Sequence, residues 1–257
     1  MKEKRPKILL SNDDGINAPG LAALYSEIIK IGDVKVVAPD SEKSAVGHAI
    51  TLSDPLRVWD FKKNGEFFGY AVNGTPADCV KIACWVLLKE RPDIVISGIN
   101  LGSNSGINAI YSGTVSAATE GTILGIPSFA ISLTTFTEPD FSYASKFAAK
   151  LAGFILENGL PRGTLLNVNI PPIKENEIAG VQITHQGQSK YLERYDKRVD
   201  PANRVYYWLT GQKIEIEESI DNDDYATKKN YISVTPLQFD FTNYKFIDVL
   251  KSWNITP

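Results

Sequence analysis

Asp13 and Asp14 are adjacent carboxylates at the end of the apolar run Ile8-Leu9-Leu10-Ser11, with Asn12 before them and Gly15 after. Two ionised neighbours repel, so holding both at a folded edge is costly unless protons or a cation neutralise them. Hard oxygen donors of this kind suit magnesium, manganese or calcium. Asn12-Asp13-Asp14-Gly15 is also ordinary turn chemistry, and the octet 8–15 by itself does not choose between a site and a solvated turn with surface acids. Two further loops carry groups able to join the acids. Residues 39–48 include Ser44, Gly47 and His48, and residues 97–106 include Asn100. His48, beside Ser44, is a candidate for proton transfer or phosphate contact, or simply a polar loop residue. Ser112-Gly113-Thr114 opens a helical run, where free backbone N–H groups and hydroxyls form an anion site, although capping by Ser112 accounts for the same residues. Thr75, in Gly74-Thr75-Pro76-Ala77-Asp78, reads first as an N-cap in a Thr-x-x-Asp box and second as a ligand contact.

The elements that must position these groups alternate in type. Strand-like apolar runs fall at 7–12, 34–38, 93–97 and 128–133, and helical patterns at 18–31, 77–89, 114–124 and 141–157. Such alternation implies βαβ units, a parallel sheet and helices on both faces. All three polar loops then lie at one edge, the carboxyl end of the strands, where ligands bind in open α/β sheets. A hairpin interrupts the pattern at 56–61 and 67–72, around Lys63-Asn64-Gly65. After Pro161 the texture changes: strands are expected at 164–170, 181–185 and 231–237 and a last helix at 243–253, while 186–204 is polar and weakly patterned. A second hairpin is expected at 205–209 and 213–217, around Thr210-Gly211-Gln212. Its Tyr206, Tyr207 and Trp208 read either as a subunit interface or as packing on the chain's own core. The whole chain, 1–257, reads as a single domain, with a catalytic core over 1–160 and C-terminal strands, an extended hairpin and a final helix over 161–257.

Composition removes several classes. A net charge of −3 leaves no basic footprint for a nucleic-acid polymer. The opening Met1-Lys2-Glu3-Lys4-Arg5-Pro6-Lys7 lacks the apolar region of a secretory peptide, and no run is long enough to span a membrane. Cys79 and Cys84 are the only cysteines, and both read as core filler in a reducing cytoplasm. There is no Gly-x-Gly-x-x-Gly after the first strand, no Gly-Lys-Ser/Thr of a P-loop and no Gly-x-Ser-x-Gly elbow. What survives is a metal and phosphate site, with a non-hydrolysing nucleotide-binding protein and a metal-dependent sugar-nucleotide transferase as the competing classes.

Asn12-Asp13-Asp14-Gly15, Ala38-Pro39-Asp40 leading to Ser44 and Gly47-His48, Gly74-Thr75-Pro76-Ala77-Asp78-Cys79-Val80, Ser97-Gly98-Ile99-Asn100 and Ser112-Gly113-Thr114-Val115 occur in that order. Together they closely resemble the SurE family, the survival protein E nucleotidases, over nearly the whole chain and more weakly after about Pro171. The resemblance implies a Rossmann-like core whose C-terminal extension is exchanged between subunits of a homodimer or homotetramer. It implies a phosphatase of nucleoside 5′- and often 3′-monophosphates, some relatives also trimming short polyphosphate, with one Mg2+ or Mn2+ per subunit. It places the metal ligands on Asp13, Asp14, Ser44 and Asn100. Asn12, Gly47, Thr75, Ser112, Gly113 and Thr114 are expected at the phosphate, with Asp14 or His48 as proton relay beside a metal-activated water.

Overall fold

Ile8 and Leu10 are buried against one apolar layer and Leu9 against another, so their strand is covered on both faces. This strand, β1 (Lys7–Ser11), is central in a computed structural model that describes residues 5–137, 139–214, 218–253 and 255–256. The chain continues through α1 (Pro19–Ile28), β2 (Asp33–Pro39), β3 (Val58–Lys63), β4 (Glu66–Val72) and α2 (Pro76–Ile82). A single π turn, Ala83–Leu87, extends α2 before β5 (Ile94–Leu101), the short α3 (Asn108–Tyr111), α4 (Gly113–Ile123) and β6 (Ser128–Leu133). Then come α5 (Ser142–Asn158), β7 (Thr164–Ile170), β8 (Gly180–Ile183), β9 (Lys190–Val199), β10 (Val205–Ile214), α6 (Asp223–Lys228), β11 (Tyr231–Gln238) and α7 (Tyr244–Lys251).

Nine strands form one sheet in the order β3-β4-β2-β1-β5-β6-β7-β11-β8. Its centre, from β4 through β7, is parallel, whereas β3 and β11 run antiparallel to their neighbours β4 and β7. One face packs on α1 and α5, where Leu21, Leu24, Ile28, Ala148 and Ile155 meet Ile8, Ile94 and Phe129. The other packs on α2 and α4, where Cys79, Val80 and Ala117 meet Leu9, Val37 and Val95. Successive crossovers leave β1 in opposite directions, first to β2 and later to β5. The topological switch point therefore lies between β1 and β5, whose loops carry the paired acids and Asn100.

The α/β architecture is as the periodicity implies, and the first-half elements fall within a few residues of expectation. At the β3–β4 connection Asn64 and Gly65 take φ +53° and +85°, the conformation that a tight hairpin turn demands. The second hairpin is not where the residues suggested. Residues 205–214 form one uninterrupted strand that pairs antiparallel with 190–199, inside the stretch that read as patternless. Gly211 is a ladder residue opposite Glu193, and an added Cβ would lie 2.5 Å from the Leu192 carbonyl oxygen, so close backbone approach selects glycine there. The turn is at 200–204: the Asp200 carboxylate accepts the N–H groups of Ala202 (2.8 Å) and Arg204 (2.9 Å), and Asn203 takes φ +62°. Residues 215–217 of the expected second arm lie outside the described residues. This two-stranded ribbon stands apart from the main sheet. Of Tyr206, Tyr207 and Trp208, the last two are more than half exposed on it and Tyr206 is 39% exposed, so none is buried in the chain's own core.

Candidate functional site

Three loops at the carboxyl edge are joined around Asp13. Gly15, at φ +94°, turns the chain so closely past the second loop that an added Cβ would lie 3.2 Å from the Ser41 carbonyl carbon. Ile16 N–H donates to the Pro39 carbonyl (2.8 Å), Lys43 N–H to the Asp13 carbonyl (2.8 Å) and Gly47 N–H to the Tyr111 carbonyl (2.9 Å). Leu101 N–H, just past Asn100, donates to Asp14 Oδ2 at 3.3 Å. The Asp13 carboxylate faces the head of α4, where it accepts the Thr114 hydroxyl. That helix start is a natural seat for an anion. Gly113 makes the approach possible: a Cβ there would lie 2.7 Å from Asp13 Cβ.

A cleft of about 250 Å3 opens beside this seam, lined among others by Asp13, Ser44, Asn100, Tyr111, Ser112 and Phe136. Burial raises the Asp13 carboxyl above the usual carboxylate range, against the pull of Thr114. Asp14 is pushed up to about 6, by burial first and then by the charges of Asp13 and Glu42. Among the described residues no Lys, Arg or His forms an ion pair with either acid. The pair is thus a concentration of negative charge short of a counter-ion.

The remaining donors suit a hard cation. Asn100 donates its amide N–H to the Gly102 carbonyl (2.8 Å), leaving Oδ1 with no hydrogen bond among the described residues. Asn12 likewise donates to the Gly15 carbonyl (2.9 Å), and its buried Oδ1 has no hydrogen-bond partner among the described residues. Ser44 Oγ lines the same cleft and donates to Glu42 Oε1 at 2.6 Å. No cluster of three His, Cys, Asp or Glu gathers for a metal among the described residues. Two carboxylates with neutral hydroxyl and amide oxygens are the donor types that suit a hard cation such as magnesium or manganese.

The family model described as survival protein SurE matches residues 8–193. The chain belongs to the SurE family. The protein named 5′-nucleotidase SurE of Syntrophobacter fumaroxidans is 51% identical over 249 residues, spanning 97% of this chain and 100% of that protein. Its namesake in Chlorobium phaeobacteroides is 50% identical over 252 residues, 98% of each chain. The crystal structure of the SurE protein from Aquifex aeolicus superposes with a TM-score of 0.85 at 41% identity, covering 97% of this chain and all of that one.

In this SurE chain the expected site residues divide into two groups. Asp13, Ser44, Asn100 and Ser112 line the cleft; Asp14, Gly113 and Thr114 do not, but each contacts a residue that does, Asp14 meeting Leu101 and the other two meeting Asp13. His48, Thr75, Gly47 and Asn12 do not line the cleft either, and Asn12, just before the acid pair, is fully buried. His48 Nε2 pairs with buried Glu120 (2.9 Å), which Lys81 also holds (3.0 Å), and the ring lines a neighbouring cavity under α4. Thr75 caps α2 in a reciprocal box with Asp78 and donates its hydroxyl to the Ala49 carbonyl (2.7 Å). Gly47, at φ +58°, joins the second loop to Tyr111. Sequence reasoning missed Glu42, whose charge bears on both acids, and the rings of Tyr111 and Phe136 at the cleft, 59% and 77% exposed. An aromatic residue gives no sign in sequence of which loop will lie opposite it.

The supporting carboxylates behave oppositely to the acid pair. Burial alone would raise Asp78 and Glu120. Hydrogen bonds from Thr51 and Thr75 outweigh it at Asp78, and those from His48 and Lys81 at Glu120, so both are held low. Their stabilisation is present above the unfolded carboxylate range and is lost as pH falls through the lowered folded values, below about pH 4. Thermal melts from neutral to acid pH should show a lower plateau and a flatter acid limb for Asp78→Asn than for the unaltered chain. Parallel acid limbs would remove Asp78 from this account.

Proposed function

We propose that this chain is a divalent-cation-dependent 5′-nucleotidase that hydrolyses nucleoside 5′-monophosphates to nucleoside and phosphate. The observation that carries the reading is the gathering of Asp13, Ser44 and Asn100 in one cleft at the head of α4, with Asp14 beside them. The 5′-nucleotidase names of relatives half identical over almost the full chain support the same substrate class.

Asp13, Asp14, Ser44 and Asn100 would hold the cation, Mg2+ or Mn2+. Once bound, such a cation supplies Lewis acidity, easing the deprotonation of water and drawing charge from a phosphoryl oxygen. The protein's own share begins with Thr114, which fixes the orientation of Asp13. Ser112 Oγ accepts the Val115 N–H (3.0 Å) and keeps its own O–H to donate to a phosphate oxygen where charge develops, whereas the Thr114 hydroxyl is spent on Asp13. Tyr111 and Phe136 offer apolar faces on which any base can stack, consistent with a substrate larger than phosphate alone. His48 is turned to Glu120, which leaves Asp14 as the candidate for proton relay.

A panel of nucleoside 5′- and 3′-monophosphates, p-nitrophenyl phosphate and short polyphosphate, assayed with and without manganese, tests the reading. Metal-dependent release of phosphate is expected from the 5′-monophosphates first, and from 3′-monophosphates and polyphosphate more slowly. Activity untouched by a chelator would overturn the cation's role, and binding without turnover would make the chain a nucleotide-binding protein.

The β9–β10 ribbon supports homo-oligomer formation, a dimer or tetramer, since its aromatic face stays exposed among the described residues. Sedimentation should show an oligomer for the full chain and a monomer once residues 190–214 are replaced by a short linker; identical species would exclude the ribbon as the interface. A cytoplasmic setting fits the two free cysteines, Cys79 buried and Cys84 partly so. Among the described residues no helix is long and apolar enough to cross a membrane.

A further inference from the structure

Ser105 and Ser189 are remote in sequence, yet both donate their hydroxyls to one carboxylate, that of Asp224. The neighbouring Asp223 accepts the Gly106 N–H on Oδ2 (2.9 Å) and the Gly187 N–H on Oδ1 (2.9 Å). Gln186 adds a bond from its side-chain amide to the Gly106 carbonyl at 2.8 Å. Two glycines are pressed against this junction. A Cβ on Gly106, at φ +57°, would lie 2.3 Å from Ser189 Oγ, and one on Gly187 would lie 2.8 Å from Asp223 Oδ1. The start of α6 therefore adds a second tie between two segments already in direct contact through Gln186, Ser189 and Gly106, the loop after β5 and the segment leading into β9.

The first of these segments is a wall of the cleft. Gly102, Ser103, Asn104 and Asn108 line it beside Asn100. Asn104 anchors the near end of the wall, donating to Ser132 Oγ (2.9 Å) and taking Asn167 Nδ2 on its carbonyl (2.8 Å). Its far end, Ser105 and Gly106, is held by the Asp223–Asp224 pair. The second segment ends at Ser189, one residue before the ribbon begins.

We infer that Asp224, with Asp223, is a positioning residue of the cleft: it fixes the wall formed by residues 102–108 to the base of the β9–β10 ribbon and so sets the fit of the nucleoside part of the substrate. The inference rests on the nucleotidase reading of the cleft. Hydroxyl and amide donors on a buried carboxylate make charge-assisted bonds, and removing one donor leaves acceptor capacity unfilled where water does not reach freely. The candidate cation ligands lie upstream of the wall, so loosening it alters substrate fit before phosphate chemistry.

Ser189→Ala is the deciding variant, because Ser189 does not line the cleft and its hydroxyl is bonded to Asp224, while the residue also packs directly against Gly106 of the wall. Its KM for a nucleoside 5′-monophosphate should rise about tenfold, the scale of one charge-assisted hydrogen bond, with kcat within about twofold. The inhibition constant of inorganic phosphate, which needs only the phosphate cradle, should stay unchanged. Amide exchange across residues 101–108 should quicken in the same variant. Ser105→Ala should match it, and the double variant should be no worse than either single one, since both act through one carboxylate. Unaltered exchange at 101–108 in Ser189→Ala would overturn the inference, as would a fall in kcat with no change in KM. A wild-type chain that hydrolyses no nucleoside monophosphate would instead sink the nucleotidase reading, and the exchange measurement would still decide whether Asp224 holds the wall.

Discussion

Asp13→Asn is expected to lower kcat/KM for nucleoside 5′-monophosphates by about a thousandfold at saturating manganese, equivalent to about 4 kcal/mol of transition-state stabilisation. It should leave the metal-free fold at least as stable. Asparagine keeps the shape and an oxygen to accept the Thr114 hydroxyl, so the seam between β1 and α4 survives. What it removes is a charge that is 5% exposed and has no ion-pair partner among the described residues. The sign of the stability effect follows from burial. The folded Asp13 carboxyl lies above its unfolded value, so its contribution is greatest at low pH and is lost as pH rises through the raised folded value. Melts of chelated protein near pH 5 and pH 8 should therefore show a smaller decline for Asp13→Asn than for the unaltered chain. Near-normal turnover at saturating metal would remove Asp13 from the ligand set.

Most of the first half of the fold was legible because its strands are buried on both faces. A run such as Ile8-Leu9-Leu10 has few other uses, and Ser128–Leu133 needed no adjustment at either end. The ribbon was not legible because neither of its faces enters a core. Residues 190–199 carry the alternation of no buried face, and the signal that remained, Gly211, marks close strand approach as readily as a turn. Asp200-Pro201-Ala202-Asn203 was the better turn signature, since an Asp can bind the backbone two residues on and an Asn tolerates positive φ. α6 has its own local signals, an Asn222 cap and acids in its first turn, but nothing local shows that Asp223 and Asp224 are buried against distant Ser and Gly donors.

The site divides along a similar line. Side chains fixed by the ends of central strands, Asp13 and Asn100, are where topology requires them, because β1 and β5 are paired in register at Ser11 and Ser97. Residues of the long excursions are less constrained. Ser44 reaches the cleft, while His48, four residues on, turns to Glu120 on α4, a partner no local pattern could reveal. Thr75 carries a complete capping box, and capping is what it does.

Gly20→Ala should lower the melting temperature by roughly 10 °C, corresponding to about 3 kcal/mol. Alanine in a helix ordinarily gains about 1 kcal/mol over glycine, so the sign depends on what the new methyl meets. A Cβ on Gly20 would lie 2.1 Å from the Ile99 carbonyl oxygen and 3.2 Å from Cε1 of the Phe141 ring. Backbone at that distance cannot rotate away. α1 would have to lift from β5, drawing Leu21, Leu24 and Ile28, each fully buried, out of their packing. The disturbance would not stop at stability, because Ile99 immediately precedes Asn100 and a displaced β5 moves that amide relative to Asp13. Gly20→Ala should thus lose activity even well below its melting point, whereas Asp13→Asn loses activity with its fold intact. An unchanged melting temperature would mean that α1 can slide along the sheet without cost, and that Asn100 is held by its bond to Gly102 rather than by the packing of α1 on β5.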